Sequence, residues 1–160
     1  MSGPTEHQPL DKSQWPEGPW HVEPDIERFD HLGVPCLLLR QVRSGHWCGY
    51  VAVPPGHPWH GEEGFFYSRD DGPDVHGGIT YGGACAGEVC HVPRSGEPDD
   101  VWWLGFDCHH SGDLAPMDLV YWRDRGWRPF GDTYRDIDYV RNQTRNLAVQ
   151  ARRAQGWTTV

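Results

Sequence analysis

Short apolar runs alternate with turn-forming residues along most of the chain, and a helical period takes over only near its end. Residues 34–42 read VPCLLLRQV and residues 46–53 read HWCGYVAV, with Ser44 and Gly45 between them. Two β-type runs joined by a short Ser-Gly connection predict a β-hairpin. Two further strands are expected at residues 74–81 (DVHGGITY) and 101–108 (VWWLGFDC), separated by a loop that carries Cys85, Cys90 and His91. From Pro54 to Asp74 the phrases PPGHPWHGEEG and DDGPD predict a long turn-rich loop, of a length that is often functional in compact domains. Tyr134, Ile137, Val140, Thr144, Leu147, Ala148 and Ala151 then recur at the spacing of one helix face. An amphipathic C-terminal helix is therefore expected, capped by Asp132 or Thr133 and stopped near Gly156. Asp132, Asp136 and Asp138 lie in its first half and Arg141, Arg145, Arg152 and Arg153 in its second, a polarity that suits the helix dipole. Residues 1–19 hold Pro4, Pro9, Pro16 and Pro19 without periodicity, and predict an extended N-terminal arm anchored through Trp15 and Trp20. Residues 20–160 are expected to form a single α+β domain, a mainly antiparallel sheet with long turn-rich loops and the helix packed on it.

Composition agrees with that picture and removes several classes. A chain of 160 residues has room for one ordinary domain. Its 20 glycines and 14 prolines favour turns, and its 9 Trp, 6 Tyr and 5 Phe supply the bulk of a core that is poor in aliphatics. The longest apolar run, Val34 to Leu39, is far below the 20 or so residues that a transmembrane helix needs, so no membrane partner is expected. Formal net charge is −9, with 19 acidic against 6 basic side chains in residues 1–122 and 4 against 8 in residues 123–160. A body this acidic, with Lys12 as its one lysine, argues against duplex nucleic acid, whose binding depends on neutralising phosphates. A small anionic ligand held by a few arginines or backbone N–H groups stays compatible, as does a homo-oligomer. The five cysteines are odd in number and include no C-x-x-C, and the N-terminus lacks a signal-peptide pattern. Free thiols and a cytoplasmic location follow as expectations.

Two of the predicted strands carry glycine gaps. Alternation places His76, Gly78 and Thr80 on one face of residues 74–81, and Trp103, Gly105 and Asp107 on one face of residues 101–108. If the strands are neighbours, the gaps align into a notch walled by His76, Thr80, Trp103 and Asp107 and extended by Gly49. The competing reading is that the glycines make room for large aromatics or form bulges. Beyond the second strand, Asp107-Cys-His-His-Ser-Gly-Asp113 is the most polar cluster. His76, Asp107, His110 and Asp113 offer imidazole and carboxylate donors of the kind that hold a divalent metal such as zinc, although their spacing matches no standard zinc signature. Cys85-x4-Cys90-His91 with Cys108 offers a second, structural zinc site. Trp47, Trp59, Trp102 and Trp103 are candidate stacking platforms, with Trp59 the most lid-like, against the alternative that they build the core.

The phrases GYVAVPPGHP (49–58), DVHGGITY (74–81), WWLGFDCHHSGD (102–113) and TYRDIDYVRNQ (133–143) resemble a family of small proteins encoded by actinobacterial phages and many bacteria. The resemblance spans roughly residues 45–150, with VHGG-[IL]-T and GFDC-x-H-x-GD as its recurring phrases. It implies that His57, His76, Gly77, Gly78, Asp107, His110, Gly112 and Asp113 belong to those phrases, and it favours His110 over His109. The family brings no assigned activity with it. A phage origin implies the host cytoplasm and suggests anti-defence, by binding or destroying a nucleotide signal.

Three functions are consistent with these features. The first is a small-ligand-binding protein that sequesters a nucleotide-like molecule. His57, Trp59, His76, Gly78, Thr80, Trp103, Asp107 and His110 would line its pocket, with Arg135 meeting a phosphate. The second is a metal-dependent hydrolase of phosphodiesters or nucleotides that uses the His/Asp cluster, with His57 as acid or base. The third is a protein-interaction module that binds a host protein through its acidic body and exposed aromatics.

Overall fold

A computed structural model describes residues 9–63, 72–86, 89–90, 99–128 and 131–156. Five strands make one antiparallel sheet: β1 (Ile26–His31), β2 (Val34–Arg40), β3 (Trp47–Val53), β4 (Tyr81–Ala84) and β5 (Trp102–Asp107), in the order β1-β2-β3-β5-β4. A two-residue parallel pair, β6 (Asp113–Leu114) and β7 (Thr133–Tyr134), brackets the helix α1 (Pro116–Asp124), and α2 (Ile137–Ala154) closes the chain. The architecture is α+β, as the pattern predicts. The expected hairpin is β2–β3, with Cys36 opposite Val51 and Arg40 opposite Trp47. Among the described residues no helix is long and apolar enough to cross a membrane.

Alternation splits the strands between two buried faces. Cys36, Leu38, Val51, Val53, Leu104 and Phe106 meet the apolar stripe of α2, formed by Val140, Leu147, Ala148 and Ala151. Leu37, Leu39, Cys48, Tyr50, Ala52 and Trp103 form a second cluster on the other face. Burial on both faces explains why β2 and β3 read as nearly continuous apolar runs. Two strand glycines are explained by the same packing. A Cβ on Gly49 would lie 2.3 Å from Thr144 Oγ1 and 2.6 Å from the Phe106 ring, and one on Gly105 would lie 2.3 Å from the Tyr50 ring. These glycines admit α2 and an aromatic ring; they do not open the expected notch.

Other expectations are also corrected. Residues 74–80 are not strand: Gly77 (φ 69°) and Gly78 (φ 80°) take left-handed backbone, and Gly78 N–H donates to Val75 O at 2.8 Å, closing a turn before β4 begins at Tyr81. The cap of α2 is Asp136, whose carboxylate accepts Tyr139 N–H at 2.9 Å, because Thr133 is drawn into β7. Helix α1 and edge strand β1 carry no local periodic signal: PMDLVYWRD shows no apolar stripe and IERFDH is largely polar. Cys85 and Cys90 form a disulfide instead of remaining free, because the Ala86–Val89 bridge sets them opposite each other with Cα atoms 4.5 Å apart. Cys36, Cys48 and Cys108 are free and buried.

Trp15 and Trp20 are buried, so the segment from Pro9 onward is anchored through both. Arg40, wholly enclosed, is the anchor's polar centre. Its guanidinium donates to Asp25 (3.0 Å), Glu23 (3.1 Å), the Gly45 carbonyl (2.7 Å) and the Tyr134 hydroxyl (2.9 Å), and lies 4.4 Å from the centre of the Trp47 ring. Glu23 also accepts the Tyr134 O–H and the Ile137 N–H at the start of α2.

Candidate functional site

Where β5 ends, the chain turns through His109 and His110 into β6, and the Gly77–Gly78 turn folds down beside it. A Cβ on Gly77 would lie 2.3 Å from His110 Nε2, so glycine is what lets the two loops meet. Asp113, 4% exposed, is the hub. Its Oδ2 accepts His76 Nε2–H (2.8 Å) and His110 N–H (2.9 Å), and its Oδ1 accepts Arg135 Nε–H (3.0 Å). Burial alone would raise its pKa, but the donors from His76, His110 and Arg135 together hold it below the ordinary value. The other ring nitrogen, His76 Nδ1, pairs with the Tyr139 hydroxyl at 2.7 Å. Gln143 Oε1 accepts His76 N–H at 2.9 Å, so α2 fixes both the ring and the backbone of His76.

Asp107 organises a second, more open group, its side chain 27% exposed. Its Oδ2 accepts the Thr80 hydroxyl (2.8 Å) and its Oδ1 accepts His109 N–H (3.1 Å). His110 Nε2 lies 3.2 Å from Oδ1, within ion-pair range but without hydrogen-bond alignment. His109 in turn reaches Asp118 of α1 at 3.2 Å, and its ring stacks 4.7 Å from that of His46, whose Nδ1 pairs with Ser44 Oγ. Desolvation, reinforced by the proximity of His109, pushes the His46 pKa down to about 4, so this imidazole is neutral at ordinary pH.

Thr80, Asp107 and His46 open onto a cavity of about 200 Å³, whose other walls are Gln41, Cys48, Tyr50, Tyr81 and Phe106. That is the volume of about seven waters, enough for one polar ring. Tyr50 and Tyr81 meet edge to face at 5.3 Å and supply an aromatic wall. The Cys48 thiol is pushed up to about 11 by burial, so it lines the cavity as a small apolar group and not as a nucleophile.

The structure thus brings together His76, Gly78, Thr80, Asp107, His110, Asp113 and Arg135. It separates three other expected pocket residues from them. His57 is buried at the far end of α2, where Nδ1 accepts Trp59 N–H (2.9 Å) and Nε2 donates to Ala151 O (2.8 Å). His76 contacts that helix at Tyr139, twelve residues away or about 18 Å along the axis. Trp59 packs edge to face on His57 at 5.3 Å and against the helix-side core, so it is not a lid over this cavity. Trp103, 1% exposed, belongs to the opposite-face core, where its Nε1–H donates to Cys85 Sγ at 3.3 Å. Of the other stacking candidates, Trp47 carries Arg40 on its ring and Trp102 packs beside His60.

His76, Asp107, His110 and Asp113 fall into two hydrogen-bonded or ion-paired couples, and among the described residues no three His, Cys, Asp or Glu side chains converge as metal ligands would. The Cys85/Cys90/Cys108 arrangement does not form, because two of the sulfurs are bonded to each other and Cys108 is buried in the helix-side core. His91 lies outside the described residues. Sequence reasoning did not find His46, Tyr50, Tyr81 and Tyr139. The first three reach the site through strand pairing and the turn after β2, and Tyr139 reads as one more aromatic on the helix. Comparison with known protein families, with curated proteins and with solved structures gives no match.

Proposed function

We propose that the protein binds a small, nucleotide-like ligand, with a heterocycle in the Tyr50–Tyr81 cavity and its N–H edge on Asp107. The carrying observation is the Asp107 carboxylate. It sits in the wall of the cavity, accepts the Thr80 hydroxyl on Oδ2 and His109 N–H on Oδ1, and has His110 Nε2 3.2 Å from Oδ1, so of the roughly four acceptor positions of a carboxylate the second one on Oδ2 is left for a ligand. A charged acceptor so presented suits a ring N–H donor, as nucleobases offer. Neutral His46 adds a further polar contact, and the tyrosine rings supply apolar surface. Arg135 spends one N–H on Asp113 and is 29% exposed, which leaves its outer nitrogens available to a phosphate. Binding without turnover fits the sequestration role that the phage-family resemblance suggests.

The test is calorimetric titration of purine and pyrimidine nucleoside monophosphates against the wild type, Asp107→Asn and Thr80→Val. Loss of one charge-assisted hydrogen bond predicts about 10- to 100-fold weaker binding for Asp107→Asn, with the melting temperature nearly unchanged. Equal affinity in wild type and Asp107→Asn, or no nucleotide bound by the wild type, would overturn the reading.

A further inference from the structure

Asp113, His76 and Tyr139 form a linear relay that nucleotide binding through Asp107 does not use. Asp113 Oδ2 accepts His76 Nε2–H at 2.8 Å, and Nδ1 of the same ring meets the Tyr139 hydroxyl at 2.7 Å. A base within hydrogen-bond reach of a hydroxyl, and itself oriented by a third group, is the arrangement that activates a nucleophile. Holding the loop against α2 does not require it. Asp74 N–H donates to Gln150 Oε1, Asp74 O accepts from Gln150 and Asn146, and His76 N–H donates to Gln143, so the loop backbone is already tied down.

The relay opens toward solvent at its tyrosine end. Asp113 is buried and the His76 side chain is 13% exposed, whereas the Tyr139 hydroxyl is far less enclosed than those of Tyr50 and Tyr134. Burial still raises the Tyr139 pKa above its ordinary value, with Arg135 opposing the rise, so the phenol keeps its proton at neutral pH and needs a base to remove it. In the neutral imidazole, with Nε2–H facing Asp113, the Nδ1 lone pair is that base. Arg135 supplies a cation beside it. Its Cζ lies 4.9 Å from the centre of the Tyr139 ring, its Nε–H is fixed on Asp113 at 3.0 Å, and its side chain is 29% exposed. A guanidinium anchored at one nitrogen presents its remaining donors as a planar fork that matches phosphate oxygens.

We propose that Tyr139 is the covalent acceptor for an activated phosphodiester, with His76 as the base and Arg135 on the phosphoryl oxygens. Tyr139 Oη attacks phosphorus and forms an O–P bond, while the bond from phosphorus to the leaving oxygen breaks and that oxygen departs with the electron pair. The phenolic proton passes to His76 Nδ1, and the resulting imidazolium faces the ionised Asp113. The group stays on Tyr139, so the step is a single capture. It shares Arg135 with nucleotide binding but needs neither Asp107 nor the cavity walled by Tyr50 and Tyr81.

Bis(4-nitrophenyl) phosphate incubated with the full chain tests the proposal, through release of 4-nitrophenolate and peptide mass spectrometry. Stoichiometric release and a 4-nitrophenyl phosphate adduct on Tyr139 are expected. Tyr121, 47% exposed and with Arg125 3.3 Å from its ring centre, is the internal control for a tyrosine that has an arginine but not this histidine, and should stay unmodified. Tyr139→Phe should abolish release, and His76→Gln should slow it about 100-fold or more. Asp107→Asn should still be labelled, which separates this site from nucleotide binding. Absence of an adduct on the wild type, labelling of Tyr121 as readily as Tyr139, or undiminished release from His76→Gln would overturn it. So would an adduct formed from 4-nitrophenyl acetate but not from the phosphodiester. The position of the adduct on the wild type decides even if a variant fails to fold.

Discussion

Acidification should destabilise this protein well above the range in which its carboxylates titrate, and His46 should carry much of the effect. Its pKa is lowered to about 4 by desolvation and by the proximity of His109, with Asp107, Asp118 and Asp113 opposing the shift. An unfolded-state histidine titrates near 6.5, so the unfolded chain takes up a proton that the native imidazole refuses. The stability contribution is complete above pH 6.5 and is lost progressively as pH falls toward 4. Two such pKa values imply a loss of about 2 kcal/mol by pH 5, or 1–2 kcal/mol after allowing for the partly open side of the ring. His57, also lowered by burial, contributes in the same direction, so a variant is needed to isolate His46. Asp113 and Asp25 sit below the usual carboxylate value, and their contributions are lost only at lower pH. Urea unfolding followed by tryptophan fluorescence at pH 7 and pH 5, for wild type and His46→Gln, reads the difference directly. The variant should lose about 1–2 kcal/mol less over that interval. An identical loss in both proteins would refute the argument.

Two further outcomes follow from the packing. Gly49→Ala would force a Cβ to within 2.3 Å of Thr144 Oγ1 and 2.6 Å of Phe106, and overpacking of that kind costs about 1–3 kcal/mol, measurable as a lower urea midpoint. Reducing the Cys85–Cys90 disulfide, which closes a short loop, should lower stability by about 2 kcal/mol. Because Trp103 donates to Cys85 Sγ at 3.3 Å, reduction should also change tryptophan emission before global unfolding, and dithiothreitol titration with fluorescence reads both effects.

The legible parts of the fold were those in which one local signal dominates. The β2–β3 hairpin and β5 announce themselves through apolar runs, and α2 through a stripe that recurs every three or four residues. Residues 74–81 misled because alternation is silent about backbone sign: His76 and Thr80 look like strand neighbours, yet Gly77 and Gly78 adopt positive φ and make a turn. In the site, Asp107, His110 and Asp113 were legible because they act within a few residues of one another. His57 carried the same chemical signal and serves a different purpose, tying a loop to the end of α2. No local pattern distinguishes a histidine that meets a helix carbonyl from one that faces an open cavity. His46 and Tyr139 depend on contacts that exist only after the sheet and helix have closed on each other.

The cluster around Arg40 has a consequence for the order in which the chain is made. Glu23, Asp25, Arg40 and Gly45 leave the ribosome early, but Tyr134 and the Ile137 N–H of α2, which share Glu23 with Arg40, come more than ninety residues after Arg40. Until then the guanidinium and its carboxylates keep their water, and the first hairpin has no helix to cover its apolar face. Domains tend to fold as units during synthesis. This one acquires its last buried charge contacts only when its C-terminal segment arrives, so a nascent chain stalled before α2 would present β2 and β3 to whatever chaperone waits at the exit.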